Sequence, residues 1–137
     1  MTTDVTAVDV GTVLPAIEIA DITRTMLALF AGASGDHNAI HIDIDFARSA
    51  GMADVFAHGM LSMAVLGRVL TDWVAPEAIR TYAVRFGAIT PVHANPTATA
   101  TVSALETVDG ERRATLDLQV VLPDGTVTLT GTAVVAI

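Results

Sequence analysis

A carboxylate and an imidazole stand five residues apart in Ser34-Gly35-Asp36-His37-Asn38-Ala39-Ile40-His41-Ile42-Asp43. Further along, Phe56-Ala57-His58-Gly59-Met60-Leu61 puts a glycine where a strongly apolar run begins. Asp36 can accept a proton or hold a water. His41 titrates near neutral pH and can give or take a proton. A backbone N–H of Gly59 at a helix N-terminus is an unpaired donor backed by the helix dipole, and glycine lets a substrate approach the backbone closely. An acid, a base and an oxyanion donor together suit a reaction that makes and unmakes an enolate beside a carbonyl.

Each of these residues also has a plainer use. Asp36 and Asn38 are common turn formers after a helix. His37, His41 and Asp43 contain the ligand types for zinc, with the histidines at i, i+4. However, Gly35 and Ala39 give that spacing a loop-like setting and not a helical one. No metal is therefore expected, and His37 reads as a surface residue. His58 reads first as a hydrogen-bond partner near the helix start, since His41 already supplies the titrating group. Met60, Leu61, Met63 and Leu66 read as core, with the wall of an acyl tunnel as the other use. Asp43 is placed to cap the following turn. Arg85 is either a solvated strand residue or a contact for a phosphate, and His93, in a loop after Pro91, is assigned no role.

The elements that must hold these groups follow from pattern. The chain has 137 residues, 52% of them apolar, which fits one domain over residues 1–137. With one Trp, one Tyr and four Phe, the core must be mostly aliphatic. There is no Cys, which excludes disulfides and thiolate chemistry and suits a reducing cytoplasm. Met1-Thr2-Thr3-Asp4 is not the start of a secretory signal, and Met60 to Val74 is too short and too often interrupted to span a bilayer. The net charge is -8, and all seven basic residues are Arg, single except for Arg112-Arg113. Nucleic-acid binding, which needs a basic surface, is not expected.

The first residues read as a mobile or edge segment, and Val13 to Ala20 as a short strand limited by Pro15. Asp21 or Thr23 caps a helix to about Ala33. Residues 34–44 form a polar loop, Asp45 to Ala50 a helical turn or two, and Gly51 stops it. Gly59 to Trp73 is apolar on almost every face, which predicts a buried central helix. Ile79 to Ala88, Thr97 to Val108, and the runs around Ala114–Leu122 and Val127–Ile137 read as strands. The last three alternate with period two. Asp109-Gly110 and Pro123-Asp124-Gly125 join them as hairpins, giving an antiparallel meander. Pattern alone admits several α+β sandwiches.

Gly35-Asp36-His37-Asn38-Ala39-Ile40-His41-Ile42-Asp43 followed by His58-Gly59-Met60 resembles the signature of the MaoC-like dehydratases. That group includes the (R)-specific enoyl-CoA hydratases and the β-hydroxyacyl-ACP dehydratases of mycolic-acid synthesis. Val84-Arg85-Phe86 is similar to the strand after the family's central helix. Ala39 departs from the pattern, which usually has Pro there. The resemblance implies an α+β hot-dog fold, an antiparallel sheet wrapped around a buried helix. It implies that Asp36 and His41 hold the catalytic water, and that the Gly59 N–H polarises a thioester carbonyl. Asn38, His58, Met60 and Arg85 are the candidate substrate contacts.

The expected reaction is reversible hydration of a 2-enoyl thioester to a 3-hydroxyacyl thioester. No cofactor is implied beyond the CoA or acyl-carrier arm that arrives with the substrate, and the acidic chain favours CoA. A hot-dog thioesterase is the enzymatic rival, but it would place its carboxylate on the central helix, where only Asp72 stands, near the far end. A non-catalytic acyl-thioester-binding subunit is the other rival. A homodimer is expected, with a heterodimer of related subunits as the alternative.

Overall fold

Period-two alternation in the C-terminal half builds the sheet that positions everything else. The computed structural model describes residues 3–137, so Met1 and Thr2 of the segment read as mobile or edge lie outside the described residues. The following residues do run along an edge: Gly11 N–H donates to the Val102 carbonyl at 2.7 Å and Leu14 N–H to that of Ala100 at 2.9 Å. Pro15 interrupts this pairing, as its missing N–H requires. Only Ile17–Glu18 forms a regular strand, β1, within the longer one expected.

Helix α1 spans Arg24–Ser34, and the Thr23 side chain accepts from Met26 N–H as its cap. Helix α2 spans Ile44–Ser49, capped by Asp43. Helix α3 spans Gly59–Thr71. The remaining strands are β2 (Ile79–Phe86), β3 (Thr97–Val108), β4 (Glu111–Val121) and β5 (Val127–Ala136). The sheet order is β1-β3-β4-β5-β2, and every pairing is antiparallel. β3, β4 and β5 form the expected meander. β2, however, pairs with β5 and not with its sequence neighbour β3. The chain must therefore cross from one side of the sheet to the other between residues 87 and 96.

Register shifts at Val102/Ala104 in β3 and Val120/Val121 beside β5 mark bulges, which bend a strand and increase its twist. The sheet so bent packs its inner face on α3. Leu66 and Leu70 of α3 are fully buried against Ala98, Ala100, Leu116 and Ala133 of the strands. Fully burying a leucine contributes about 1.5–3 kcal/mol, so this seam is a main source of stability. A second, smaller cluster under α1 and α2 joins Ile22, Leu27, Ala47, Val55 and Ala57.

One expectation fails here. α3 is not covered all round: Met60, Ala64, Arg68 and Thr71 are exposed. They recur every three to four residues and so form one face of the helix. The sheet of a single chain reaches only the opposite side.

Candidate active site

Local backbone chemistry winds the loop that carries Asp36. α1 ends at Gly35, whose φ of 76° is the left-handed region that glycine enters without steric cost. Its N–H donates to the Ala31 carbonyl. Three side-chain oxygens then accept from the backbone in succession. Ser34 Oγ takes Asp36 N–H at 3.2 Å, Asp36 Oδ1 takes Asn38 N–H at 3.2 Å, and Asn38 Oδ1 takes Ile40 N–H at 3.1 Å. The result is one tight helical turn, Ala39–His41, that delivers His41. Asp36 thus serves as a turn former and still presents its second oxygen. Asn38 orients the loop, and its side chain makes no other hydrogen bond among the described residues. Asp43 Oδ1 accepts from Asp45 and Phe46 N–H, so the third member of the His37/His41/Asp43 set is engaged as a helix cap.

His41 Nδ1 lies 2.8 Å from the Phe56 carbonyl oxygen. A carbonyl can only accept, so Nδ1 carries the hydrogen and Nε2 is left with a free lone pair. His58 stacks on the His41 ring with centroids 4.0 Å apart and planes 28° from parallel. By the same logic His58 Nε2–H donates to the Asp36 carbonyl at 3.1 Å. One side chain therefore braces both the backbone of Asp36 and the face of His41. His58 is only 1% exposed, and its Nδ1 has no partner among the described residues. Burial lowers its pKa from the ordinary value, and repulsion from a charged His41 acts in the same direction, against the opposing pull of the Asp36 carbonyl and carboxylate. Its surroundings thus disfavour the charged form of His58.

One ligand atom from each of Asp36, His41 and His58 lies within 4.8 Å of the others. This grouping has the composition of a metal site, with His58 in place of the His37 and Asp43 weighed from the sequence. The stacked imidazoles, however, with planes 28° from parallel, direct their in-plane lone pairs along separate planes. The arrangement suits proton transfer better than shared coordination.

A cavity of about 330 Å³ is walled by Phe56, Gly59 and Ser62 together with Phe86, Thr90 and Leu129; Asp36, His41 and His58 are not among the residues that line it, and their chain neighbours Ala57 and Gly59 are. Gly59 is the first residue of α3, and its N–H meets no acceptor among the described residues. A Cβ on Gly59 would come within 2.9 Å of the Phe86 ring, so a larger residue would press on the cavity wall. The crossing chain between β2 and β3 supplies the far wall, pinned where Ala57 N–H donates to the Thr90 carbonyl at 2.9 Å.

Two candidates are not brought here. Met60 is 57% exposed and absent from the cavity wall, and it is not core either. One helical residue turns about 100°, so Met60 faces away while Gly59 and Ser62, three apart, share a face. Arg85 lies on the opposite side of the sheet from Phe86, by strand alternation, where it borders a shallow groove with Ala83 and Thr132. His37 is exposed as expected, and His93, given no role, pairs with Asp21 at 2.8 Å. Ser62, Thr90 and Phe86 were missed as wall residues. The spacing of Ser62 from Gly59 was a usable signal, whereas nothing in the sequence places Thr90 against α3.

The chain matches the MaoC-like domain over residues 7–125. Over 91 residues it is 32% identical to 3-hydroxyacyl-thioester dehydratase Z of Mycobacterium tuberculosis, covering 62% of this chain and 60% of the relative. The chain thus spans about three fifths of the length of the curated relatives it matches. Among solved structures, the unliganded R-hydratase PhaJ1 from Pseudomonas aeruginosa superposes with a TM-score of 0.82 at 25% identity, covering 96% of this chain and 83% of that one. A chain of the ChsH1-ChsH2 complex from Mycobacterium tuberculosis superposes with a TM-score of 0.80 at 25% identity, covering 94% and 98%. The curled sheet on its helix is the hot-dog fold of these neighbours.

Proposed function

Because the chain belongs to the MaoC-like dehydratase family, we propose that it is a hydro-lyase that reversibly hydrates 2-enoyl thioesters to 3-hydroxyacyl thioesters, with Asp36 and His41 as its acid/base pair. The observation that carries this is the approach of Asp36, His41 and His58, with one ligand atom of each within 4.8 Å of the others, His41 Nδ1 held by the Phe56 carbonyl, and Gly59, which follows His58, in the wall of a cavity.

The chemistry runs as follows. A water sits between the Asp36 carboxylate and His41 Nε2, and this pair takes one of its protons as its oxygen bonds to C3 of the enoyl group. The C2–C3 π pair shifts toward the thioester carbonyl, and the Gly59 N–H stabilises the enolate oxygen. The pair then returns a proton to C2, so one water is added in all. Dehydration is the reverse. The step needs neither redox chemistry nor a Lewis acid, and CoA or a carrier arm enters as part of the substrate. CoA is preferred over an acidic carrier protein because the net charge is -8.

The thioesterase alternative is disfavoured because Asp72, the C-cap of α3, lies at the far end from Gly59 and pairs with Arg68 at 3.8 Å. In the proposed assembly a second hot-dog subunit pairs along β2. β2 is an edge strand with one side of its backbone unpaired, and Met60, Phe86 and Ile89 are exposed nearby. An identical copy is the first choice, and a related subunit is the second. Among the described residues no helix is long and apolar enough to cross a membrane.

Incubation of the purified protein with crotonyl-CoA tests the activity. Loss of the enoyl absorbance with formation of 3-hydroxybutyryl-CoA is the expected result. Release of free thiol would replace the hydratase with a thioesterase, and absence of any reaction by the isolated protein, with crotonyl-CoA and with longer 2-enoyl-CoAs, would make the chain a binding subunit.

A further inference from the structure

The cavity beside Gly59 is lined mainly by apolar side chains, but two hydroxyls interrupt it. Ser62 comes from α3 and is 7% exposed, and Thr90 comes from the crossing chain and is 4% exposed. Their oxygens are 3.4 Å apart, with either able to donate. A serine inside a helix commonly turns its hydroxyl back to the carbonyl four residues earlier. Here that carbonyl, of His58, accepts from Leu61 N–H at 3.1 Å, and Ser62 meets Thr90 instead. Two hydroxyls bring two protons and four lone pairs, and one long contact leaves at least one proton uncommitted at the cavity wall.

When Thr90 donates in that contact the free proton is on Ser62, and helix geometry gives the side of α3 on which that hydroxyl lies. Side chains of an α-helix lean toward its N-terminus and cover the turn before their own Cα. Ser62, three residues after Gly59, therefore leans over the first turn of α3, on the face where the Gly59 N–H opens. Met60 and Leu61, the residues between, have no donor to offer from their side chains.

We propose that the Ser62 hydroxyl is a second donor to the thioester carbonyl, forming with the Gly59 N–H a two-donor oxyanion site, and that Thr90 is the positioning residue that orients it. This rests on the hydratase reading above. As the water oxygen bonds to C3 and the π pair moves toward the carbonyl, negative charge gathers on the thioester oxygen. The two donors hold that oxygen until C2 receives its proton. Ser62 keeps its own proton throughout, so it acts by electrostatics and not as an acid.

The test compares wild type with Ser62→Ala, Ser62→Thr and Thr90→Val in two assays. In crotonyl-CoA hydration, Ser62→Ala lowers kcat on the order of 10²-fold, with KM and the thermal midpoint nearly unchanged. Ser62→Thr, which restores a hydroxyl, recovers most of the rate, and Thr90→Val falls between. In the second assay, the infrared carbonyl stretch of bound butyryl-CoA, which cannot be hydrated, moves to lower frequency on wild type, and Ser62→Ala loses a large part of that shift. A Ser62→Ala protein with the wild-type carbonyl shift overturns the proposal whatever its turnover, as does a wild type that gives no shift. A wild type that fails to hydrate crotonyl-CoA yet shows a Ser62-dependent shift would remove the hydratase reading and leave the donor in place.

Discussion

The meander β3–β5 and the loop of residues 34–43 are held in opposite ways. In the meander, Ala98, Ala100, Val102, Ala114, Leu116, Leu118, Val120, Leu129, Ala133 and Val135 all point into one core, and long ladders of backbone pairs fix their register. The work is shared among many contacts of the same kind. In the loop, most residues are exposed, and each bend has a single bearer: Ser34, Asp36 or Asn38 accepting from the backbone two residues on. His58, arriving from the start of α3, ties the loop to the rest. Removing one side chain from the meander should lower stability while leaving the shape, because its neighbours define the same surface. Removing one from the loop should change geometry at modest cost in stability, because no neighbour duplicates it.

That contrast can be broken most directly at the proposed acid/base pair. His41→Ala or Asp36→Asn is expected to lower kcat by about 10²–10⁴-fold, with a thermal midpoint close to wild type. A midpoint that falls with the rate would mean that the loop also bears the fold. The converse change is Leu116→Ala, where a fully buried side chain of β4 is cut back. Chemical denaturation should register a loss of about 2–5 kcal/mol, while the protein still folded keeps its kcat.

His58 lies between the two regimes and sharpens the line. Its folded-state pKa is lowered, so as the pH falls the unfolded chain takes up the proton first. The contribution to stability is complete above the ordinary value of 6.5 and is lost as the pH falls from there through the folded value. His58→Gln keeps an N–H for the Asp36 carbonyl but does not titrate. Its urea midpoint should fall less steeply on the acid side than that of wild type, and its kcat should exceed that of His58→Ala. The smallest effect is expected at Ala39, the first residue of the turn that delivers His41. Proline fits a first helical position, and Asn38, at φ -58° and ψ 121°, already has the backbone that a following proline favours. Ala39→Pro should add about 0.4–1 kcal/mol and leave the crotonyl-CoA rate no lower. A loss of rate would show that the loop must yield during turnover.

The sequence made legible what is encoded locally. Thr23 as a cap, Asp43 as a cap, Gly35 as the end of α1 and both hairpin turns depend on residues within a few positions of one another. The Asp36–His41 spacing was legible for the same reason. What was not legible depends on pairing across the chain. β2 reads as a strand on its own, but its place beyond β5 is decided by the whole sheet. Met60 looked like core or tunnel wall because apolarity says that a helix is covered without saying on which side. Arg85 has the charge to meet a phosphate, and only the register of β2 shows which way it points. Thr90 and Ser62 are 28 positions apart and meet because the crossing chain brings them together.

That crossing chain has a further consequence. The strands on either side of it take their register from β5 and β4, not from each other. It is pinned at its start where Gly87 N–H donates to the Thr128 carbonyl, in its middle where Phe56 bridges to Pro91, and at its end where Ile19 N–H donates to the Pro96 carbonyl. Ile89 and Thr90 therefore line the cavity while standing outside every strand ladder. Lengthening or shortening this stretch would reshape the cavity while the strand ladders stay as they are, which makes it a natural point of divergence among proteins built on the same frame.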